Sequence, residues 1–115
     1  MALLLWRRAV EFRDKSWCQK EVYDILKKYN VAWVIADFSK YLKTEIVTAD
    51  FVYIRMHGGK ILYSSNYSKE ELRKLAKKIK EYLNQNLDVF CYFNNDAKGY
   101  ALKNANTLMS FLKKE

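Results

Sequence analysis

Proline is absent from the sequence, and glycine occurs only three times. That scarcity excludes the glycine-rich phosphate loops. Neither GxGxxG nor GxxxxGK(S/T) occurs, and Gly58-Gly59 is the only glycine pair. Histidine occurs once, at position 57, so a self-contained multi-histidine metal centre is not expected. The two cysteines, Cys18 and Cys91, show neither a CxxC nor a metal-ligand spacing. Both read as reduced, structural thiols of an intracellular protein. No apolar run approaches the length of a membrane span. Ala2–Trp6 is too short for a signal peptide, and its arginines follow the apolar run. The expectation is a soluble, cytoplasmic chain with no membrane partner and no indicated cofactor.

What is present is apolar and aromatic bulk. Of 115 residues, 50% are hydrophobic and 16% aromatic, enough for one small domain with a core. The net charge is +8. Basic chains often meet nucleic acid. Here the lysines fall at exposed helical spacings mixed with Glu, so solvated faces are the better reading. A nucleic-acid-associated protein is retained only as an alternative. The proline-free, Lys/Glu/Ile/Tyr-rich style also fits a thermophile.

Asp50-Phe51-Val52-Tyr53-Ile54-Arg55-Met56-His57-Gly58 organises the rest. Its β-branched and aromatic residues form a strand. Side chains alternate along a strand, so Tyr53, Arg55 and His57 share one face and Val52, Ile54 and Met56 the other. The apolar face packs on helices. A face ending in Arg and His belongs at the mouth of a parallel α/β structure.

In chain order, 7–13 reads as the first strand. Val10 and Phe12 face one way, and Ala9, Glu11 and Arg13 the other. Ser16 is the expected N-cap of a helix over 17–29, with Val22, Ile25, Leu26 and Tyr29 as its stripe and Asn30 at its end. Val31–Ala36 is an unbroken apolar run, the mark of a strand buried on both faces. Residues 38–49 read as a loop with at most one helical turn, and 58–67 as a second loop. Ser68 and Glu71 form a capping box for a helix to about Asn84, whose stripe is Leu72, Leu75, Ala76, Ile79 and Leu83. Residues 88–94 are the fourth strand and 94–96 a turn. A last helix, 97–113, buries Ala101, Leu102, Ala105, Leu108, Met109 and Leu112.

Strands alternating with crossover helices imply parallel pairing. Four such strands fall short of a complete barrel, which needs roughly 250 residues. An open doubly wound sheet would have to bury Glu11, Arg13, Arg55 and His57 under helices at several kcal/mol per uncompensated ion. The expected fold is therefore α/β, the parallel-stranded half of a TIM-like (β/α)8 barrel. It has four strands and about three helices in one domain.

Three motifs in register carry a resemblance. They are Ala9-Val10-Glu11-Phe12-Arg13 with Ser16-Trp17, Thr48-Ala49-Asp50 through Gly58, and Tyr92-Phe93-Asn94-Asn95-Asp96 followed by Gly99-Tyr100-Ala101 and Asn104-Ala105. In order and spacing they resemble the C-terminal half of the YecE-like family, the domain of unknown function 72, over nearly the whole chain. The Leu3-Leu4-Leu5-Trp6 lead-in and Met56 depart from the usual pattern. The resemblance implies a TIM-like barrel and supplies no established activity. It also implies completion, by a second copy in a homodimer or by a separately encoded N-terminal half barrel.

Candidate catalytic residues are His57, because imidazole as a side-chain type suits general acid–base work, and Glu11. Candidate ligand contacts are Arg13, Asp37, Arg55, Tyr92, Asn94 and Asn95, a set suited to a small polar or anionic molecule. No metal ligands are assigned. Each assignment has a structural counterpart. Glu11, Arg13, Arg55 and Asp37 suit an internal ion-pair network equally well. His57 alone is as readily a hydrogen-bonded structural residue, and Asn95 or Asp96 a helix cap. Trp17 and Tyr63–Tyr67 read either as a rim over the mouth or as packing. Two functions follow: binding or hydrolysis of a polar ligand at the strand C-terminal ends, or an assembly subunit without activity.

Overall fold

The computed structural model describes residues 7–37, 44–59 and 65–113. Strand β1 spans Arg8–Val10, β2 Val31–Asp37, β3 Phe51–Met56 and β4 Asp88–Phe93. Helix α1 spans Lys20–Lys28, α2 Lys69–Asn84 and α3 Tyr100–Lys113. The strands form one sheet in sequence order, β1-β2-β3-β4, with every pair parallel. This is the half (β/α)8 barrel expected from the alternation of strands and crossovers.

Register divides the side chains. Val34 pairs with Tyr53 and Tyr53 with Phe90, while Ala36 pairs with Arg55 and Arg55 with Tyr92. These rows line the concave face. The alternate rows, Ile35–Ile54–Cys91 and Asp37–Met56–Phe93, face the helices. There they join a core with Leu72, Ala76, Ile79, Tyr82 and Leu108. Full burial of a Leu or Ile in such a layer contributes about 1.5–3 kcal/mol. On the concave face β2 offers only Ala32, Val34 and Ala36. Small residues there let side chains from β1 reach across β2 to β3 and β4.

Local structure departs from expectation in several places. Strand β1 is shorter than 7–13, so Glu11, Phe12 and Arg13 lie beyond the ladder at the mouth. A 3-10 turn at Lys15–Trp17 precedes α1, and its cap is Asp14, whose carboxylate accepts from the Ser16 N–H at 2.8 Å. That hydrogen bond lowers the Asp14 pKa. Ser16 therefore caps nothing, and α1 starts three residues late. Its buried stripe moves with it. Leu26 is buried, Tyr23 meets Trp33 edge-on at 5.4 Å, and Ile25 and Tyr29 are exposed. Asn30 ends α1 in the left-handed region at φ 54°, where Asn is tolerated.

The Ser68–Glu71 capping box is present in both directions, at 3.0 and 3.1 Å. In α2, Tyr82 takes the buried place read for Leu83, which is exposed. In α3, Leu102 and Met109 are exposed, and Asn104 is buried in the stripe instead. Residues 44–50 hold no helix. The remainder of that crossover, and residues 60–64 with Tyr63, lie outside the described residues. Trp17 stacks on Phe12 at 4.8 Å and stays half-exposed, whereas Tyr67 is buried. Among the described residues no helix is long and apolar enough to cross a membrane.

Candidate functional site

The mouth is built from the C-terminal ends of β1, β3 and β4. Glu11 follows β1 and reaches over β2. Its Oε1 accepts from Arg55 Nη1 at 3.0 Å, and its Oε2 from Arg13 Nη2 at 3.3 Å. His57 Nε2 lies 3.0 Å from the same Oε2. His57 is the residue after β3, and alternation from Tyr53 and Arg55 aims it at the mouth. Its ring is fully buried, and the Glu11 side chain is only 11% exposed. Asn94 follows β4, and its amide lies 3.0 Å from His57 Nδ1. Every donor is satisfied when the Asn94 carbonyl accepts from Arg55 Nη2 at 3.0 Å. The amide N–H₂ group then faces His57 Nδ1 at 3.0 Å and the Met56 carbonyl at 3.1 Å. Glu11, Arg55, Asn94 and His57 thus close a ring of hydrogen bonds.

Charge in this ring is unequal. One carboxylate faces two guanidinium groups, and Arg13 and Arg55 keep side-chain exposures of 48% and 36%. Planar guanidinium forks suit carboxylate or phosphate groups.

Sequence reasoning gathered more residues than the structure does. Glu11, Arg13, Arg55, His57 and Asn94 come together. Tyr92 flanks them, beside Arg55 in register, half-exposed and 5.2 Å from the Tyr53 ring. Asp37 does not join the network, because strand parity sends it to the helix side with Ile35. There it accepts from Tyr67 Oη at 2.7 Å, while Gly58 N–H donates to the same oxygen at 2.8 Å. Burial and the Asp37 hydrogen bond push the Tyr67 phenol far above its ordinary pKa. Asn95 is likewise turned from the mouth. It is fully buried, and its amide donates to Ser65 O and Asn104 Oδ1, both at 2.8 Å. It is neither a mouth contact nor the helix cap. Asp96 occupies that cap position without a side-chain hydrogen bond. Tyr67 takes the packing alternative, and Asn104 carries a supporting role that the sequence expectation does not include. The signal for Asn104 was an amide at a stripe position of α3.

A cavity of about 340 Å³ lies on the opposite, helix side, between Ile35, Ile54, Met56, Leu75, Tyr67 and Tyr82. Asp37, Glu45, Glu71, Lys74 and Lys78 also line it, and it shares no residue with the Glu11 ring. Among the described residues no group of three His, Cys, Asp or Glu side chains is placed to hold a metal ion. Cys18 and Cys91 are free thiols. Burial pushes the Cys91 thiol up to about 12.

Fold and site define a class: one half of a parallel (β/α)8 barrel with a polar ring at its strand C-terminal ends. The chain belongs to the DUF72 family, described as a protein of unknown function, whose model matches residues 2–115. It is similar to a solved DUF72 family protein of Thermotoga maritima, with 31% identity and a TM-score of 0.85. That match covers 95% of this chain and 47% of the other. A DUF72 family protein of Enterococcus faecalis shares 23% identity at a TM-score of 0.82, covering 95% and 48%, and supports the fold. The chain therefore spans about half the length of the solved structures it matches, and it corresponds to the C-terminal half of the barrel. No curated protein matches it.

Proposed function

We propose that the mouth binds a small anionic molecule bearing several oxygen acceptors, such as a phosphate ester or a polycarboxylate. The supporting observation is the ring's charge: Glu11 is already engaged by three side chains, while Arg13 and Arg55 remain partly open. Tyr53 and Tyr92 give such a ligand an aromatic wall. The test is calorimetric titration with pyrophosphate and a panel of sugar phosphates. Arg13→Ala is expected to weaken binding about tenfold, equivalent to about 1.4 kcal/mol. A wild-type chain that binds nothing in the panel overturns the reading. Hydrolysis of such a ligand, with Glu11 as the carboxylate of the ring, is a narrower form of the same proposal.

A second reading rests on the half-exposed Tyr92 and the open edges of β1 and β4. In this reading the barrel is completed by a second half barrel, and a second copy of this chain is the partner tested. Light scattering on the 115-residue chain tests self-assembly, and a well-folded monomer removes the homodimer. Nucleic-acid binding is disfavoured, because Lys20, Lys74 and Lys78 sit against Asp24, Glu70 and Glu45.

A further inference from the structure

The reading above leaves open which ring members touch the ligand. We infer that His57 and Asn94 are positioning residues for Glu11 and Arg55, with His57 holding its proton on Nε2. This rests on the anion-binding reading for its purpose but not for its geometry. His57 is fully buried, so it presents no surface to a ligand at the mouth. Its Nε2 faces a carboxylate oxygen at 3.0 Å. Two acceptors do not share a contact of that length, so the hydrogen belongs to Nε2 and is donated to Glu11 Oε2.

The other ring nitrogen meets the Asn94 amide. In the orientation that also satisfies Arg55 Nη2, both ends of that amide lie 3.0 Å from Nδ1. The amide therefore serves the imidazole whether Nδ1 is bare or protonated. It donates N–H to a bare nitrogen, and it accepts with its carbonyl from a protonated one. The Nε2–H to Glu11 bond is common to both states.

The charged and titratable groups around His57 come from every neighbouring element. Glu11 and Arg13 follow β1, and Arg55 is in β3. Asp37, at the end of β2, takes the His57 backbone N–H on its carbonyl at 3.2 Å. Tyr67 receives the next N–H, from Gly58. These backbone bonds fix where the imidazole starts, and Glu11 and Asn94 fix how it turns. The consequence is a division of labour. Arg13 and the outward edge of Arg55 contact the ligand, and His57 with Asn94 keeps Glu11 and Arg55 in place.

The sequence has one histidine, so its ring nitrogens give an unambiguous signal in a long-range proton–nitrogen correlation spectrum. The wild-type chain is expected to show a static proton on Nε2. An Nδ1–H tautomer, or one averaged signal from a freely exchanging ring, overturns the inference. Asn94→Asp supplies the independent arm. It sets a carboxylate against Nδ1, and the Nδ1 signal is expected to move toward that of a proton-bearing nitrogen. An unchanged spectrum in a folded variant also overturns it. If the variant does not fold, the wild-type spectrum decides alone. No ligand enters either measurement. Failure to bind pyrophosphate with a fixed Nε2–H tautomer sinks the binding reading only, and the reverse result sinks this inference only.

Discussion

Two ion pairs cross the concave face of the same sheet, and they differ in almost everything but their path. At the strand N-terminal end, Arg7 bonds Asp88 at 2.7 Å, with side chains 43% and 66% exposed. Its guanidinium lies over the Phe51 and Phe90 rings at 5.2 and 5.5 Å. At the C-terminal end, Glu11 bonds Arg55 and His57 with almost no exposure of Glu11 or His57. Both pairs arise at the edges of β1, and both pass over the small residues of β2. The exposed pair competes with water for each partner and holds the curl of the sheet weakly. The buried one has replaced water by a closed set of donors and acceptors, so loss of any member strands the others. One sheet face thus carries a polar set closed off from water at one end and one open to it at the other.

The strongest way to break this contrast is Glu11→Ala. It removes the acceptor for His57 and one acceptor for Arg55, leaving a buried imidazole N–H without its partner. Arg13 and Arg55 can turn partly to water, which moderates the cost. The expected loss is about 2–4 kcal/mol of stability, read as a fall in the urea midpoint. A loss near that of an exposed pair would remove the distinction between the two ends.

An alkaline titration probes the apolar side in the same terms. Cys91 has a folded pKa raised to about 12 by burial. Its stabilising contribution is complete below the unfolded pKa, near 9, and is lost as pH rises through the interval toward 12. The sign follows because the unfolded chain releases the thiol proton first. A loss of about 2 kcal/mol by about pH 10.5 is expected from this group. Tyr67, also raised, adds to the loss once pH passes the ordinary phenol range. Cys91→Ala is expected to flatten the first part of that decline. A wild-type midpoint that stays level from pH 8 to about pH 10.5 would contradict it.

Much of this was legible from residue order. Alternation in 50–58 put Arg55 and His57 on one face, and the same rule carried Glu11 and Arg13 to it. The unbroken run 31–36 gave a strand covered on both faces. The same parity places Asp37 and Asn95 away from the mouth. Each is one residue out of phase with its neighbour at the mouth, and each therefore faces the helices. Helix stripes failed for a different reason. Ile25, Leu83, Leu102 and Met109 are apolar at helical spacing but lie at the edge of their stripe, and a polar Asn104 outcompetes Leu102 because it has three hydrogen-bonding partners waiting. Which edge of a stripe is covered depends on the neighbouring layer, and a single sequence does not encode that locally. The partnering of Asn94 with His57 and Arg55 spans nearly forty residues and was beyond reach for the same reason.

Ser68→Ala separates a local term from these long-range ones. The hydroxyl caps α2 by accepting from the Glu71 N–H, and its loss is expected to cost about 1 kcal/mol. Helix content measured by circular dichroism should hold while the midpoint falls. The binding of pyrophosphate should be unchanged, because no residue of α2 reaches the mouth.

The smallest effect belongs to Asp88→Ala, and it sharpens the opening contrast most directly. Removing this carboxylate frees Arg7, which keeps its place over Phe51 and Phe90 through its own guanidinium face. Cation–π contact and solvent together compensate most of the lost pair, so a change of about 0.5 kcal/mol or less is expected. The effect should shrink further as salt rises, because an exposed pair is screened. Glu11→Ala should keep its full cost under the same salt series. If both variants respond to salt alike, the two ends of the concave face are electrostatically equivalent, and burial of the Glu11 ring no longer distinguishes it as the site.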